Sequence, residues 1–231
     1  MDKYIAVLIS SHFIADFLLQ PGNLVQLKKR PVYLFIHGAV HALTTYLVLQ
    51  NWLVWQVPLV VFFVHILIDY MKQLKTDGDD NAIVFVADQA AHIASLIIIV
   101  LVLQKFSVYL DFTGQGYEVI ITIAAVSAVV PGSGFFVGKF MKPILENNNL
   151  SLKGLENGGK LIGQLERLLI LVLIYINQPV GIGFLVAAKS ILRFEESKDH
   201  QVAEYVIIGT LLSFTLAIVF SITAVWALTF G

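Results

Sequence analysis

Five of the six histidines in this chain lie between positions 12 and 92, and each stands four residues from an aspartate or another histidine. The pairs are His12 and Asp16, His37 and His41, His65 and Asp69, and Asp88 and His92. Neutral imidazole and carboxylate are the donors that hold divalent transition metals such as Zn, Mn or Fe, and two ions can share a set this rich. Residues four apart share one face of a helix, so each pair offers two donors to the same side. A divalent ion there would acidify water and stabilise charge developing on a substrate oxygen. A spare carboxylate or imidazole could act as general base. All eight residues are therefore candidate ligands, and Asp16, Asp69 and Asp88 are candidate catalytic groups.

The pattern recurs. His12-x3-Asp16-x3-Gln20 returns fifty-three residues later as His65-x3-Asp69-x3-Gln73, with an aromatic residue after each aspartate. The second pairs, His37 with His41 and Asp88 with His92, lie fifty-one residues apart. A shared period of this kind points to two copies of one helical hairpin. Gln20, Lys72 and Gln89 extend the stripes and are candidates for substrate contact.

The elements that carry these residues follow from composition. Of 231 residues 58% are hydrophobic and only 13% charged, with mean hydropathy +0.81. Soluble domains carry about a quarter charged residues, so this is the composition of an integral membrane protein. A net charge of −1 gives no reason to expect nucleic acid as a partner, and the absence of cysteine excludes disulfides and thiolate ligands. The first apolar stretch holds His12 and Asp16 and lacks a clear cleavage site, so it does not read as a signal peptide. Apolar stretches run near 4–20, 32–50, 52–71, 82–104, 117–138, 160–177, 180–194 and 202–230. About 20 helical residues cross the hydrocarbon core. The expectation is an all-α, polytopic transmembrane bundle of about eight spans, with helices 1–2 and 3–4 forming a parallel hairpin repeat. The seventh span is short enough to be re-entrant. One membrane domain covers 1–231, with a His/Asp-bearing half at 1–104 and a second helical half at 117–231.

Charge sets the expected orientation. Lys28, Lys29, Arg30, Lys72, Lys75, Lys139, Lys142, Lys153, Lys160, Arg193 and Lys198 all fall on one side of an eight-span chain, against Lys3 and Lys105 on the other. The positive-inside rule then places both termini outside the cytoplasm and the His/Asp pairs at one depth in the cytoplasmic leaflet. The second half has no copy of the hairpin. Pro131-Gly-Ser-Gly134 should break or kink its helix, with a packing kink favoured over a phosphate-binding turn. Lys189 and Arg193, a like-charged i, i+4 pair, need an anion between them. A phosphate headgroup is the functional candidate. A carboxylate, Glu166, Glu195 or Glu204, is the structural one, and it is favoured. Glu166, Arg167, Lys189 and Arg193 are candidate substrate contacts. His200 reads as solvated, Lys72 taken alone as snorkelling to the headgroups, and Lys28-Lys-Arg30 as a topology signal.

The bland reading of the His/Asp pairs is polar glue, hydrogen-bonding across helices to fix their packing. Ionisable groups inside a membrane are costly and usually functional, and four pairs at one depth favour the functional reading. A proton- or metal-coupled transporter or channel needs similar residues. Against it, the outer halves of the helices look sealed by Val, Ile and Leu. A non-catalytic scaffold is the third reading.

The combination His12-x3-Asp16-x3-Gln20, His37-x3-His41, His65-x3-Asp69-x2-Lys72 and Asp88-Gln-x2-His92 resembles the bacterial membrane family called domain of unknown function 3307. Gly163-x-Leu-Glu-Arg167, Ala188-Lys-Ser190 and Glu204-Tyr205 fit the same resemblance, which implies a bacterial inner-membrane location but no activity. A looser similarity, of residue type and setting only, is to membrane-bound metal-dependent hydrolases. The leading expectation is a metal-dependent hydrolase working beside membrane lipid on a lipid-linked or amphipathic phosphoester, an anionic phosphate-bearing substrate.

Overall fold

Long apolar runs favour helix, and glycine or proline within them marks a close approach or a break. A computed structural model of the chain describes residues 2–20, 31–76, 81–105, 116–150, 157–196 and 200–231. Expectations that rest on Lys28, Lys29, Arg30, Lys153 and Lys198 lie outside the described residues, as does the side chain of Arg193. All regular structure among the described residues is helical. Its segments are α1 (Asp2–Phe13, continued by a π-turn over Ile14–Leu18), α2 (Pro31–Leu49), α3 (Gln56–Thr76), α4 (Ala82–Lys105), α5 (Tyr117–Asn147), α6 (Gly158–Tyr175), α7 (Val180–Glu196) and α8 (His200–Leu228). Five of these, α2, α3, α4, α5 and α8, are long and apolar enough to cross a membrane. A shorter apolar helix covers Val180–Ile191.

Local chemistry sets the boundaries. Pro31 opens α2 with its φ already helical. Asn81 caps α4, its Oδ1 accepting the N–H groups of Ile83 and Val84 at 3.0 Å each. Gln50, Asn149 and Asn177 follow α2, α5 and α6 with φ of 52°, 51° and 56°. After α6 the Gln178 N–H reaches back to the Leu173 carbonyl at 2.7 Å, and after α5 Leu150 does the same to Leu145 at 3.1 Å. These are left-handed helix stops that satisfy terminal carbonyls.

The chain forms two compact units, Met1–Ser127 with Trp226–Gly231, and Ala128–Val225. In the first, α1 packs on α2 and α4, α2 on α3, and α3 on α4, which closes a ring of four helices. The start of α5 packs on α1. Polarity inside this ring is the reverse of a soluble bundle. On α3, Phe63 and Leu67 are 61% and 59% exposed, whereas His65 and Asp69, which alternate with them, are 3% and 4% exposed. An apolar outside over a polar inside suits lipid, not water. Gly38 brings α2 and α3 close together, since a Cβ there would meet Ile66 Cγ1 at 2.6 Å. Small residues permit such close helix packing in membranes.

In the second unit, the break expected at Pro131 is a π-turn over Ala128–Gly132. Ser133 Oγ donates to the Ala128 carbonyl at 3.1 Å. Arg167 on α6 donates from Nε to the Val130 carbonyl at 3.0 Å and from Nη1 to Ser213 Oγ at 3.0 Å. The two glycines facing it make room: a Cβ on Gly134 would lie 2.7 Å from Arg167 Nη2, and one on Gly163 would lie 3.1 Å from Nη1. Lys189 Nζ donates to Glu166 Oε2 at 2.7 Å, the ion pair favoured from the sequence. The Gly134 and Gly163 positions are thus packing features around a buried guanidinium.

Candidate metal centre

The four i, i+4 pairs face into the ring of α1 to α4 and meet at one place. α1 supplies Asp16 from within its π-turn, where the Leu19 N–H donates to the Ile14 carbonyl five residues back at 3.0 Å. Such turns re-aim side chains and recur at functional sites. Asp16 Oδ1 lies 3.1 Å from His37 Nε2 and 3.3 Å from His41 Nε2, and its Oδ2 lies 3.5 Å from His12 Nε2. Asp69 Oδ1 lies 3.3 Å from His92 Nε2, and its Oδ2 lies 3.8 Å from both His37 and His65 Nε2. Asp88 Oδ1 lies 3.6 Å from His92 Nε2. The imidazoles are in mutual contact, with His41 and His65 stacked at 3.5 Å and His65 and His92 at 4.1 Å between ring centroids.

Three groupings place one donor atom from each member within 4.8 Å of the others: Asp16, His37, His41 and His65; His12, His65 and His92; and Asp69, Asp88 and His92. The separations, 3.1–3.8 Å, span ligand spacing and long hydrogen bonds alike, and His41 to Asp16 and His92 to Asp69, both at 3.3 Å, are hydrogen bonds. Ligands at about 2.0–2.2 Å from a tetrahedral ion stand roughly 3.3–3.6 Å from one another, whereas good N–H···O bonds cluster near about 2.9 Å. His37 Nε2, His65 Nε2 and Asp88 Oδ1 are buried without a hydrogen-bond partner. A purely structural network would be expected to satisfy them. Charge agrees: Asp16, Asp69 and Asp88 bring three negative charges, and Lys72 Nζ, 3.2 Å from Asp88 Oδ2, offsets one of them. One divalent cation would neutralise the remainder, and uncompensated buried charge is expensive. The residues fit a divalent metal.

The remaining candidates divide. Gln89, expected to meet substrate, donates from Nε2 to Asp16 Oδ2 at 2.9 Å and turns Oε1 to His12 Nε2 at 3.3 Å. It positions two candidate ligands. Lys72 turns inward to Asp88 where snorkelling was expected of it alone. Gln20 lies past the end of α1, and its Nε2 is buried without a hydrogen-bond partner. Glu166, Arg167 and Lys189 belong to the second unit and are engaged as described there. Sequence reasoning missed Ser11 and Thr45, whose hydroxyls lie 3.2 Å apart. With Ser95, His12, His41, His65 and His92 they line a cavity of about 10 Å³, which is room for one water. Their signal was available: Thr45 follows His41 by four residues and Ser95 follows His92 by three.

A helical membrane protein with a buried His/Asp cluster able to hold a metal ion is the class that this fold and site define. Residues 4–120, which carry all eight candidate ligands, match the family described as protein of unknown function (DUF3307). The chain belongs to that family. No curated protein and no solved structure matches it.

Proposed function

We propose that the chain is a metal-dependent hydrolase that cleaves a lipid-linked or amphipathic phosphoester at the cytoplasmic leaflet of a bacterial inner membrane. The observation that carries this reading is the convergence of five imidazoles and three carboxylates on one buried point, with His37 Nε2, His65 Nε2 and Asp88 Oδ1 left without hydrogen bonds. The donors of a divalent ion, Zn, Mn or Fe by donor type, would be drawn from His12, His37, His41, His65, His92, Asp16 and Asp69, of which Asp16, His37, His41 and His65 form one group within reach of a single ion. When bound, such an ion supplies Lewis acidity and makes water a nucleophile near neutral pH. Asp88 would accept the proton of the attacking water. The Lys72 ammonium, 24% exposed at the edge of the cluster, would hold the anionic group of the substrate. The cavity beyond the histidines has room for only one water and is walled by Val61, Val64, Leu96 and Ile99, which argues against a conduit through the bundle.

The same reading takes the chain as one membrane domain of about eight spans with both termini outside the cytoplasm. α1–α2 and α3–α4 would be related by a pseudo-twofold along the membrane normal. Matched distances support that repeat: Asp16 to His41 and Asp69 to His92 are the corresponding pairs, and both measure 3.3 Å. A reporter fused after Gly231 should be active only outside the cytoplasm, and cytoplasmic activity would overturn the orientation.

Elemental analysis of detergent-purified protein tests the central claim. It should find at least one transition metal per chain, and chelation should both lower thermal stability and abolish hydrolysis of an amphipathic phosphoester. Stoichiometrically metal-free protein, with stability unchanged by chelator, would return the cluster to polar glue. Metal-dependent ion flux in liposomes without hydrolysis would favour a transporter.

A further inference from the structure

The cluster is lopsided in a way that bears on how many ions it takes. Asp16, His37, His41 and His65 form a nitrogen-rich group in which protein donors can fill all four positions of a tetrahedral ion. Asp69, Asp88 and His92 form an oxygen-rich group of three, which leaves a four-coordinate ion one position unfilled by the protein. Both are buried, and each contains an unpartnered atom: His37 and His65 Nε2 in the first, Asp88 Oδ1 in the second. The side chain of Asp88 is 8% exposed and that of Asp69 5%. The pseudo-symmetric exchange of His37 for Asp88 creates this difference, since it replaces a neutral donor by an anionic one.

Lys72 sits on the oxygen-rich side only, its Nζ 3.2 Å from Asp88 Oδ2. Two carboxylates converging on one imidazole need positive charge nearby, and an ammonium on a flexible four-carbon stem can supply it and also withdraw. Resting on the metal-binding reading above, we infer that the cluster is a two-ion centre with unequal seats. The nitrogen-rich seat holds its ion permanently. The oxygen-rich seat takes a second, harder divalent cation in competition with the Lys72 ammonium, which is a placeholder for that ion's charge. Entry of the second ion releases Lys72 from Asp88, and the freed ammonium then stands beside the open coordination position. The ligand class this arrangement fits is a phosphate-type oxyanion, which would bridge the second ion and the ammonium. With both ions present the three carboxylates and Lys72 leave a net charge of about +2, so a dianionic group would complete neutrality.

The test uses full-length, chelator-stripped protein in detergent, loaded with one equivalent of Zn²⁺ and then titrated with Mn²⁺, with free Mn²⁺ read by electron paramagnetic resonance. Zn²⁺ outranks Mn²⁺ for a nitrogen-rich site, so Mn²⁺ reports the other seat. The wild type should bind one Mn²⁺ weakly. Lys72→Met should bind it at least about tenfold more tightly, because the competing charge is gone, while Lys72→Arg should behave as the wild type. Asp88→Asn should lose Mn²⁺ binding but keep Zn²⁺. Zn²⁺ retained with no Mn²⁺ bound, or Mn²⁺ affinity unchanged in Lys72→Met, overturns the second seat and leaves the metal centre standing. Failure to retain Zn²⁺ at the first step overturns both.

Discussion

The two units meet the same physical problem, polar groups inside an apolar helical bundle, and answer it differently. In the second unit the polar groups named here have protein partners: Arg167 with Val130 and Ser213, Lys189 with Glu166. In the first unit eight ionisable side chains crowd together, and two imidazole nitrogens and a carboxylate oxygen still lack hydrogen bonds. A closed network is what packing requires, because a half-satisfied one is worse than an apolar core. An open network persists where something else completes it. Ser221 Oγ in the second unit is also buried without a hydrogen bond, so the contrast rests on the crowding of ionisable groups in the first unit.

The comparison can be broken most severely by exchanging the two kinds of damage. Arg167→Leu strands the Val130 carbonyl and the Ser213 hydroxyl and should cost about 1–3 kcal/mol for each buried group left unsatisfied. Thermal melting would read that loss, and metal content per folded chain should not change. His41→Ala should do the opposite, lowering metal affinity by more than about 100-fold, beyond the range of an outer-shell change. If Arg167→Leu emptied the site, or His41→Ala left metal content intact, the division of labour would fail.

A smaller, sharper contrast sets Gln89 against Lys189. Gln89→Leu removes the bond that fixes Asp16 and should weaken metal binding by about 10–100-fold, measured by competition with a chromogenic chelator. Lys189→Met breaks a partly exposed ion pair and should cost only about 1 kcal/mol of stability, with no change in metal affinity.

How much of this was legible depends on distance along the chain. The i, i+4 spacing of His12 with Asp16 and of His65 with Asp69 carries the face on which each pair lies, because helix geometry alone relates them. The long apolar runs carry the helices for the same reason. Gln20 shows where this stops. Extending the stripe to i+8 assumes a uniform 3.6-residue period, and the π-turn at Ile14–Leu18 interrupts it. Nothing local announces that turn. Gln89 was visible as a polar residue beside Asp88, but its partner Asp16 is seventy-three residues away, and only the closed ring of helices brings them together. Arg167 could be read as a charge within a span. That it would seek the carbonyl beside Pro131 depends on a backbone break in another helix.

His37 gives the centre an internal arithmetic. Its Nε2 stands between the two aspartates, 3.1 Å from Asp16 Oδ1 and 3.8 Å from Asp69 Oδ2. Nε2 carries either one proton or one lone pair, so His37 can donate to one aspartate or bind one ion at a time. Whatever draws it toward Asp16 withdraws it from Asp69. An ion that fixes His37 in the nitrogen-rich group would therefore take it from Asp69, and by reciprocity whatever draws His37 toward Asp69 would weaken that ion's hold by the same factor.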